Sequence, residues 1–411
     1  MSWENKVLSD ISISIQTGPF GSQLHQSDYS ETGTPVVMPK DLINGKISEE
    51  SIARVSQDHV DRLSKHKICA GDILYSRRGD VGRCAYATEK EADWLCGTGC
   101  LKVTIDTNKA IPSFVFYQLQ KAEIVGWVVN HAVGSTMLNL NTSILSSVPI
   151  ELPEMEIQRK IVDYISAYDA LIENNQKQIK LLEEAAQRLY KEWFINLRFP
   201  GYEDVEIVDG VPEGWLIKPF SDVFEFVRGK SYSTKELSEK DGTLMVNLKN
   251  IRAFGGYNRG AEKRFIGKFK ETQKLFPGDI VMGVTDMTQE RRLVGHVAMI
   301  PECNEDLTFS MDLIKLLPIS VTRNYLYCAM QYGGYSDKIS PLANGVNVLH
   351  LKPDSIMNME MLVPDFGMLS IFDSAFEPIR MKIDTLQKQC IFAMEARDRL
   401  LPKLMNGLIE I

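Results

Sequence analysis

The chain has 411 residues, of which 44% are hydrophobic and 24% charged, and its formal net charge is −8. This balance is ordinary for a soluble globular protein, and the length predicts roughly two or three domains. Free-standing nucleic-acid binders are usually basic overall, so an acidic chain would need a basic face or a basic partner to bind DNA.

The chain lacks the signals of membrane insertion and export. No apolar run approaches the ~18 residues that a membrane span needs, and the first residues lack the apolar stretch of a signal peptide. The seven cysteines are scattered, which is typical of a reduced compartment. We therefore expect a cytoplasmic protein. Cys84, Cys96 and Cys100 have no second ligand pair at zinc-site spacing, so no metal site is predicted.

The first globular segment, residues 1–152, consists of short β-type runs separated by Gly, Asp, Asn and Pro. The clearest runs are Pro35–Met38, Ile73–Ser76 and Leu101–Ile105. One short helix is predicted over Ser113–Gln120. Gly71-Asp72 is interpreted as a turn that starts the next strand. These elements predict an α+β domain with a curved sheet.

A long spacer helix is predicted over residues 153–200. Its apolar or neutral positions recur at alternating spacings of four and three residues, which is the heptad pattern of a coiled-coil seam. The seam positions are Ile161, Ile165, Tyr168, Ile172, Asn175, Ile179, Leu182, Ala186, Leu189 and Trp193. Asn175 is polar, and it either sets the register or is a tolerated defect.

The second half of the chain repeats the first at an offset of roughly 210 residues. The matching segments begin at Trp3 and Trp215, Val36 and Met245, Ala70 and Pro277, Val81 and Val294, Gly134 and Gly345, and Ile150 and Met361. Each match is weak alone, but the common order and near-constant offset argue against coincidence. A period this long repeats a whole domain. The second copy is therefore predicted as a globular segment, residues 201–364, followed by a second spacer helix, residues 365–411.

The second spacer helix repeats the heptad phase of the first. Its seam positions are Phe372, Phe376, Ile379, Ile383, Leu386, Cys390, Ala393, Arg397, Leu400 and Leu404. Asp365 is the predicted N-cap, and Pro378 is expected to kink or fray the first turns. We expect the two helices to pair antiparallel, in a pseudo-twofold molecule with one globular domain at each end.

Three pairs of loops carry side chains suited to duplex DNA. Arginine forks bind guanine edges or phosphates, and Thr, Asp, Gln and Asn read adenine and cytosine edges. Backbone amides and small hydroxyls in Gly-containing loops suit phosphate. The candidate DNA-binding residues are Thr17, Gly18, Ser22, Lys40, Arg77, Arg78, Ser135 and Thr136 in the first copy, and Arg228, Lys230, Ser231, Lys249, Thr285, Arg291, Arg292, Asn344 and Asn347 in the second. Each loop alone could be a solvated turn; the recurrence in both copies favours binding.

Motifs for catalysis are missing from the sequence. It contains no phosphate-binding G-x-x-x-x-G-K-[ST] loop, no dinucleotide-binding glycine turn and no Asp/Asn-Pro-Pro-aromatic motif of an amino-methyltransferase. His59, His66, His131 and His296 lack consistent partners and are interpreted as structural. We predict a non-catalytic chain that binds no cofactor.

Several motifs are shared with one known family. They are the Trp3–Asp10 and Trp215–Asp222 openings, the Gly-Asp-Ile strands, Gly134-Ser-Thr with Leu138-Asn-Leu140, the Pro153-x-x-Glu156 entry to the first spacer helix, and the C-terminal segment 400–411, which is the most specific. On these motifs the whole sequence resembles the specificity subunits of type I restriction–modification systems.

The resemblance implies two target-recognition domains that each read one half of a bipartite, asymmetric DNA site. It also implies two helical spacers that dock two modification subunits, which methylate adenine at N6. The flipped adenine and S-adenosylmethionine would sit in those subunits, and restriction subunits complete the complex; ATP and Mg would also belong to partners. The residues predicted for the seam and partner dock are Ile161, Ile172, Ile179, Leu182, Leu189, Ile383, Leu386 and Leu400.

Two other interpretations remain open at the level of sequence. The chain could be the specificity part of a fused restriction–methylation enzyme, which the missing catalytic motifs and an expected natural end at Ile411 disfavour. It could instead be a structural coiled-coil protein that binds no DNA, which the paired loops disfavour. Differences between the spacer helices, at Pro378 and at Asn175 against Leu386, predict unequal partner docks.

Overall fold

The computed structural model describes residues 3–134, 137–288 and 290–409. The chain forms two compact units, and each is an α+β structure. Unit 1 consists of residues 1–172 and 391–411, and unit 2 of residues 173–390. None of the described helices combines the length and apolar character needed to cross a membrane.

Unit 1 is organised around a four-stranded antiparallel sheet, which we call its main sheet. In spatial order its strands are Ser12–Thr17, Cys100–Ile105, Ile73–Ser76 and Cys84–Tyr86. A second sheet contains Leu95–Cys96, Thr34–Val37, Ala53–Val55 and Tyr29–Ser30, with a parallel pair between the first two. Two further strand pairs are Glu4–Val7 with Pro149–Leu152, and Leu42–Ile43 with Lys46–Ile47. The helices of the globular part are Gln57–Arg62, Pro112–Leu119, Ala122–His131 and Thr142–Ser146.

Unit 2 repeats this topology. Its main sheet has the order Phe224–Arg228, Leu313–Pro318, Ile280–Gly283 and Val297–Met299. Its second sheet contains Leu237–Ser238, Lys263–Phe265, Thr243–Val246, Leu307–Phe309 and Lys274–Leu275, again with a parallel pair, Thr243–Val246 with Leu307–Phe309. Smaller pairs join Leu216–Pro219 to Glu360–Val363, Thr285–Asp286 to Leu349–His350, and Ile207–Val208 to Val211–Pro212. The helices are Phe220–Val223, Arg323–Tyr332 and Tyr335–Ile339. The predicted duplication is therefore present in strand order as well as in sequence.

Two long helices supply the helical part of the chain. The first spans Met155–Tyr190 and continues as a π-helical turn, Lys191–Ile195. The second spans Phe366–Met405, and the Asp365 carboxylate accepts the Met368 N–H at 3.0 Å, as predicted for the N-cap. The expected fraying at Pro378 is wrong, because the helix is continuous through that residue. The Asp365 side chain satisfies one of the N-terminal amides, which stabilises the first turn.

The long helices pair antiparallel within each unit. In unit 1, Ile161 and Ile165 share a core with Leu404 and Met405, which come from the other end of the second helix. In unit 2, the Asn175 amide donates to Gln389 Oε1 at 3.2 Å, and Trp193 stacks edge-on against Phe372. As the residue number increases along the first helix, the residue number of the contact partner on the second helix decreases, so the helices run antiparallel. The predicted seam residues that are buried are Ile161, Ile165, Ile172, Asn175, Ile179, Ala186, Phe372, Phe376, Leu386, Cys390, Ala393 and Leu404. Others, among them Leu182, Leu189, Ile383 and Leu400, are half-buried.

A polar contact inside unit 1 ties the globular part to both long helices. The Tyr117 hydroxyl donates to Asp169 Oδ2 at 2.6 Å, and Arg397 Nη1 donates to Asp169 Oδ1 at 2.7 Å. Burial raises the pKa of Tyr117, with a further contribution from Asp169, so the hydroxyl stays protonated and remains a donor.

Substitution Tyr117→Phe is expected to lower the free energy of unfolding by about 1–2 kcal/mol, because a half-buried carboxylate loses a short hydrogen bond. Urea denaturation would measure the change. Tyr164→Phe is the matched control, since Tyr164 lies on the first long helix and is 56% exposed. Equal effects of the two substitutions would contradict a stabilising role for the Tyr117–Asp169 bond.

Candidate nucleic-acid interface

In unit 1, the predicted loops that follow Thr17 and Ser76 meet at one edge of the main sheet, together with the segment 137–140 that follows the third predicted loop. The strands that end at Thr17 and Ser76 flank the strand that begins at Cys100, so their loops leave from the same edge. Arg77 N donates to Gly99 O at 2.8 Å, and Leu140 N donates to Arg77 O at 2.8 Å. The structure thus brings together the segments 17–22, 77–80 and 137–140 with the turn 97–99. Ser135 and Thr136 lie outside the described residues.

Glycine allows the first of these loops to approach the 97–99 turn. A Cβ on Gly18 would lie 2.1 Å from Gly97 O, which no side chain could tolerate. The same device recurs in unit 2, where a Cβ on Gly229 would lie 2.0 Å from Ser310 O. Gly18 N donates to Cys100 O at 2.9 Å, so this amide is occupied within the protein. The Gly18 position therefore serves packing in this structure.

The cationic candidates of unit 1 differ in their surroundings. The Arg77 guanidinium lies over the Phe20 ring, 5.8 Å from its centroid. Arg78 is exposed, as are Ser22 and Lys40, whereas Thr17 is half-buried. Lys40 donates to Ser51 and lies 3.6 Å from the Asp41 carboxylate. Lys40 belongs to a short 3-10 turn beginning at Pro39, whose ring lies next to Gly99, so it borders the same edge of the sheet.

Unit 2 brings its predicted loops together in the same way. Leu351 N donates to Val284 O at 2.8 Å, and Thr285 pairs with His350. Met311 N donates to Lys230 O at 2.9 Å, which joins the loop 228–231 to the turn 310–312. The loops of the two copies thus occupy equivalent places in their own units.

Several cationic and polar candidates of unit 2 have partners within the protein. Arg228 Nη2 donates to Asp354 Oδ2 at 2.9 Å, and Arg292 pairs with Glu290 at 2.7 Å. Thr285 is only 4% exposed and its hydroxyl donates to Asp312 Oδ1 at 3.0 Å. The exposed candidates are Arg228, Ser231, Lys249, Arg292, Asn344 and Asn347; Lys230 and Arg291 are half-buried.

The loop after Thr285 is shaped by a buried carboxylate. Asp286 is fully buried and accepts the Thr288 N–H at 2.7 Å and the Leu293 N–H at 2.8 Å. These bonds hold the two ends of the loop that carries Arg291 and Arg292. Asp286 is thus a positioning residue for the loop rather than part of its exposed surface.

Sequence reasoning missed the apolar side chains of these loops. Phe20, Val133 and Met137 are exposed in unit 1, and Met287, Met311 and Val346 in unit 2. Their exposure ranges from 51% for Met311 to 87% for Val346. Apolar residues inside otherwise polar loops were the available signal. Such side chains can contact the methyl group of thymine.

Burial favours the neutral forms of two histidines and two cysteines near these sheets. His66 is 5% exposed, and burial lowers its pKa, so the neutral form is favoured at pH 7. Burial also lowers the pKa of His296 and raises the pKa of Cys84 and Cys96 to about 12. Among the described residues, no group of three His, Cys, Asp or Glu side chains is arranged to hold a metal ion.

Comparison with known proteins gives a consistent result. Residues 2–184 match the family model described as the type I restriction modification DNA specificity domain. The chain is 25% identical over 422 residues to the type I restriction enzyme MjaIX specificity subunit of Methanocaldococcus jannaschii, covering 100% of this chain and 94% of that one. It is 22% identical over 476 residues to the HindI specificity subunit of Haemophilus influenzae, covering 99% of both. The crystal structure of a type I restriction–modification S subunit from M. genitalium has the same fold, with a TM-score of 0.62 at 15% identity over 98% of this chain and 96% of that one.

Proposed function

We propose that this chain, which is similar to the specificity subunits of type I restriction–modification systems, reads a bipartite, asymmetric DNA site through its two globular parts. Each unit would read one half-site with the loops gathered at one edge of its main sheet. The observation that carries this proposal is that two units whose main sheets have the same strand order present equivalent loops with different side chains. A repeated framework with divergent loops suits two related readers of different sequences.

The loops of the two units differ in chemical character as well as in sequence. The strand end of unit 1 carries Arg77 and Arg78, whereas the equivalent positions in unit 2 are Val284 and the buried Thr285. Exposed Asn344 and Asn347 in unit 2 are amides that can read adenine. The two half-sites are therefore proposed to differ, which makes the whole site asymmetric.

The long helices and the net negative charge of the chain support a role inside a larger assembly. We propose that two modification subunits dock on the chain and that restriction subunits complete the complex, with the chain itself non-catalytic. S-adenosylmethionine, ATP and Mg would be held by those partners. The partners would also supply much of the positive charge that neutralises DNA phosphates.

The chain alone is expected to bind its target weakly, and to gain roughly tenfold or more in affinity when its modification subunits are present. Each added phosphate contact also steepens the salt dependence of binding, so the complex should show a steeper slope than the chain. Gel-shift titrations at several salt concentrations would measure both quantities. Equal sequence-specific affinity with and without the partners would contradict the proposal that the partners supply much of the phosphate contact.

Mapping methylated adenines across a genome that expresses the complex would identify the site. A two-part motif with a fixed gap is the expected result. A single continuous motif, or methylation without any sequence preference, would refute the proposal of two readers.

A further inference from the structure

The backbone of Arg77 is fixed from both sides. Its N–H donates to Gly99 O and its carbonyl accepts from Leu140 N, both at 2.8 Å. The loops on either side therefore hold the Cα of Arg77 at the sheet edge. A reader placed this way loses little backbone freedom when it binds.

The side chain of Arg77 is also oriented before any ligand binds. Its guanidinium carbon lies 5.8 Å from the centroid of the Phe20 ring, within the range of a cation–π attraction, which favours this placement of the side chain. Among the described residues, no carboxylate forms an ion pair with Arg77. By contrast, nearby Arg83 pairs with Asp80 at 2.9 Å. The charge of Arg77 is thus available to a ligand.

Three buried polar atoms in the joined segments of unit 1 have no hydrogen-bond partner among the described residues. They are Arg77 Nε, Thr98 Oγ1 and Asn139 Oδ1. Unpaired buried polar atoms are costly and rare in proteins. This set comprises a donor, a hydroxyl that can do both, and an acceptor. A phosphate offers acceptors only, whereas the edge of a base pair offers both donors and acceptors. These atoms are buried, so they describe the mixed donor and acceptor character of the segments around Arg77 and are not themselves exposed to a ligand.

Among the described residues of unit 2, the equivalent place has no such unpaired set. There the Asp312 carboxylate accepts from the Thr285 hydroxyl at 3.0 Å and from the Ser310 hydroxyl at 3.2 Å. These polar groups satisfy one another within the protein. The inference therefore concerns unit 1 alone.

Resting on the proposed DNA-reading function, we propose that Arg77 reads a guanine in the half-site of unit 1, through O6 and N7 in the major groove. The neighbouring Arg78 is exposed, and no aromatic ring among the described residues lies under its guanidinium, so we assign Arg78 to phosphate. A fork aligned on both guanine acceptors is the commonest specific arginine contact with DNA. The two adjacent arginines thus separate base reading from phosphate binding.

The test uses the assembled complex with its modification subunits and a pool of duplexes randomised across the mapped site. Arg77→Ala is expected to reduce guanine preference at one position by on the order of 10- to 100-fold, with the other positions unchanged. Arg77→Lys should lose a similar preference, because an ammonium lacks the fork. Arg78→Ala is the matched control: affinity should fall for all sequences alike, and the salt slope should decrease by about one.

A second measurement examines the guanine directly. Replacing that guanine with 7-deazaguanine should weaken binding by the wild-type complex and leave the affinity of the Arg77→Ala complex unchanged. Phe20→Leu keeps the arginine but removes the ring, and should weaken the same preference; it keeps the test decisive if Arg77→Ala does not fold. Unchanged guanine preference in the Arg77 and Phe20 variants, beside a selective wild-type complex, overturns this assignment alone. A wild-type complex without sequence preference overturns the proposed function as well.

Discussion

Substitution Asp72→Ala is expected to lower the stability of unit 1 by about 3–5 kcal/mol, because it leaves the Lys102 ammonium buried without a counter-charge. Asp72 is 1% exposed, and its carboxylate lies 3.5 Å from Lys102 Nζ, whose side chain is 7% exposed. The carboxylate also accepts the Cys69 N–H at 2.7 Å and the Thr104 hydroxyl at 2.6 Å. Asp72 is therefore far more than the turn residue that its Gly-Asp motif predicts.

Hydrogen exchange of the main-sheet amides is the measurement suited to this prediction. Protection of Ile73–Ser76 and Cys100–Ile105 should fall by roughly 150- to 5,000-fold, the equivalent of the expected loss. The corresponding strands of unit 2 serve as an internal reference. The surface pair Asp80–Arg83, 63% and 40% exposed, gives a matched control, since Asp80→Ala should cost less than about 1 kcal/mol.

A double variant separates the charge from the hydrogen bonds. In Asp72→Asn/Lys102→Met both charges are removed, while the amide oxygen can still accept the Cys69 N–H. Replacing both members of a buried ion pair is often close to neutral, so stability should return to within about 2 kcal/mol of the wild type. If Asp72→Ala and the double variant are equally unstable, the unpaired Lys102 ammonium is not the cause of the loss of stability.

The same ion pair recurs in unit 2, where Lys315 Nζ lies 3.6 Å from Asp279 and both side chains are buried. Asp279 also accepts the Phe276 N–H at 3.0 Å. The recurrence explains why Gly71-Asp72-Ile73 and Gly278-Asp279-Ile280 are among the best-matched segments of the two copies. Gly71 and Gly278 have φ of +91° and +86°, so the turn needs glycine, and the core behind it needs the aspartate.

The sequence was most informative where local patterns determine structure. Ile73–Ser76 is a strand with the predicted bounds, and the helix predicted over Ser113–Gln120 is found at Pro112–Leu119. Both are short apolar runs between turn residues, which leaves few alternatives. The heptad pattern likewise predicted the long helices, and the coupling of Asn175 to Gln389 gives the polar seam residue a partner. The pseudo-twofold arrangement of the two halves stays a prediction.

The candidate site was less predictable, because it depends on contacts between distant segments. Phe20, Arg77, Thr98 and Asn139 are far apart in the chain, and only strand order brings their loops to one edge. Nothing in the local sequence distinguishes Thr285, whose hydroxyl is buried against Asp312, from an exposed reader. For the same reason sequence alone could not separate Arg77 from Arg78. Their roles as DNA-binding residues, like those of the other candidates, stay predictions.

Exchanging residues 1–152 for the equivalent segment of a relative with a different target is expected to change one half of the recognised site completely. The fold favours such an exchange, because the ends of the segment pair with each other: Glu4 lies opposite Leu152 and Val7 opposite Pro149. The graft therefore enters and leaves unit 1 at one place. It must keep apolar side chains at the core positions that face Ile161 and Ile165, or the loss of packing would obscure the result.

Methylation mapping of the exchanged complex should show a new sequence in one half-site, with the other half and the gap between them unchanged. The reciprocal exchange of residues 213–364 should alter only the other half, since Leu216 and Val363 close the second segment in the same manner. A graft from a relative with the same half-site is the control, and should leave the motif as it was. Simultaneous change of both halves would mean that the loops of one unit do not read alone. A changed gap would instead mean that the globular segments, and not only the helices, determine the separation of the half-sites.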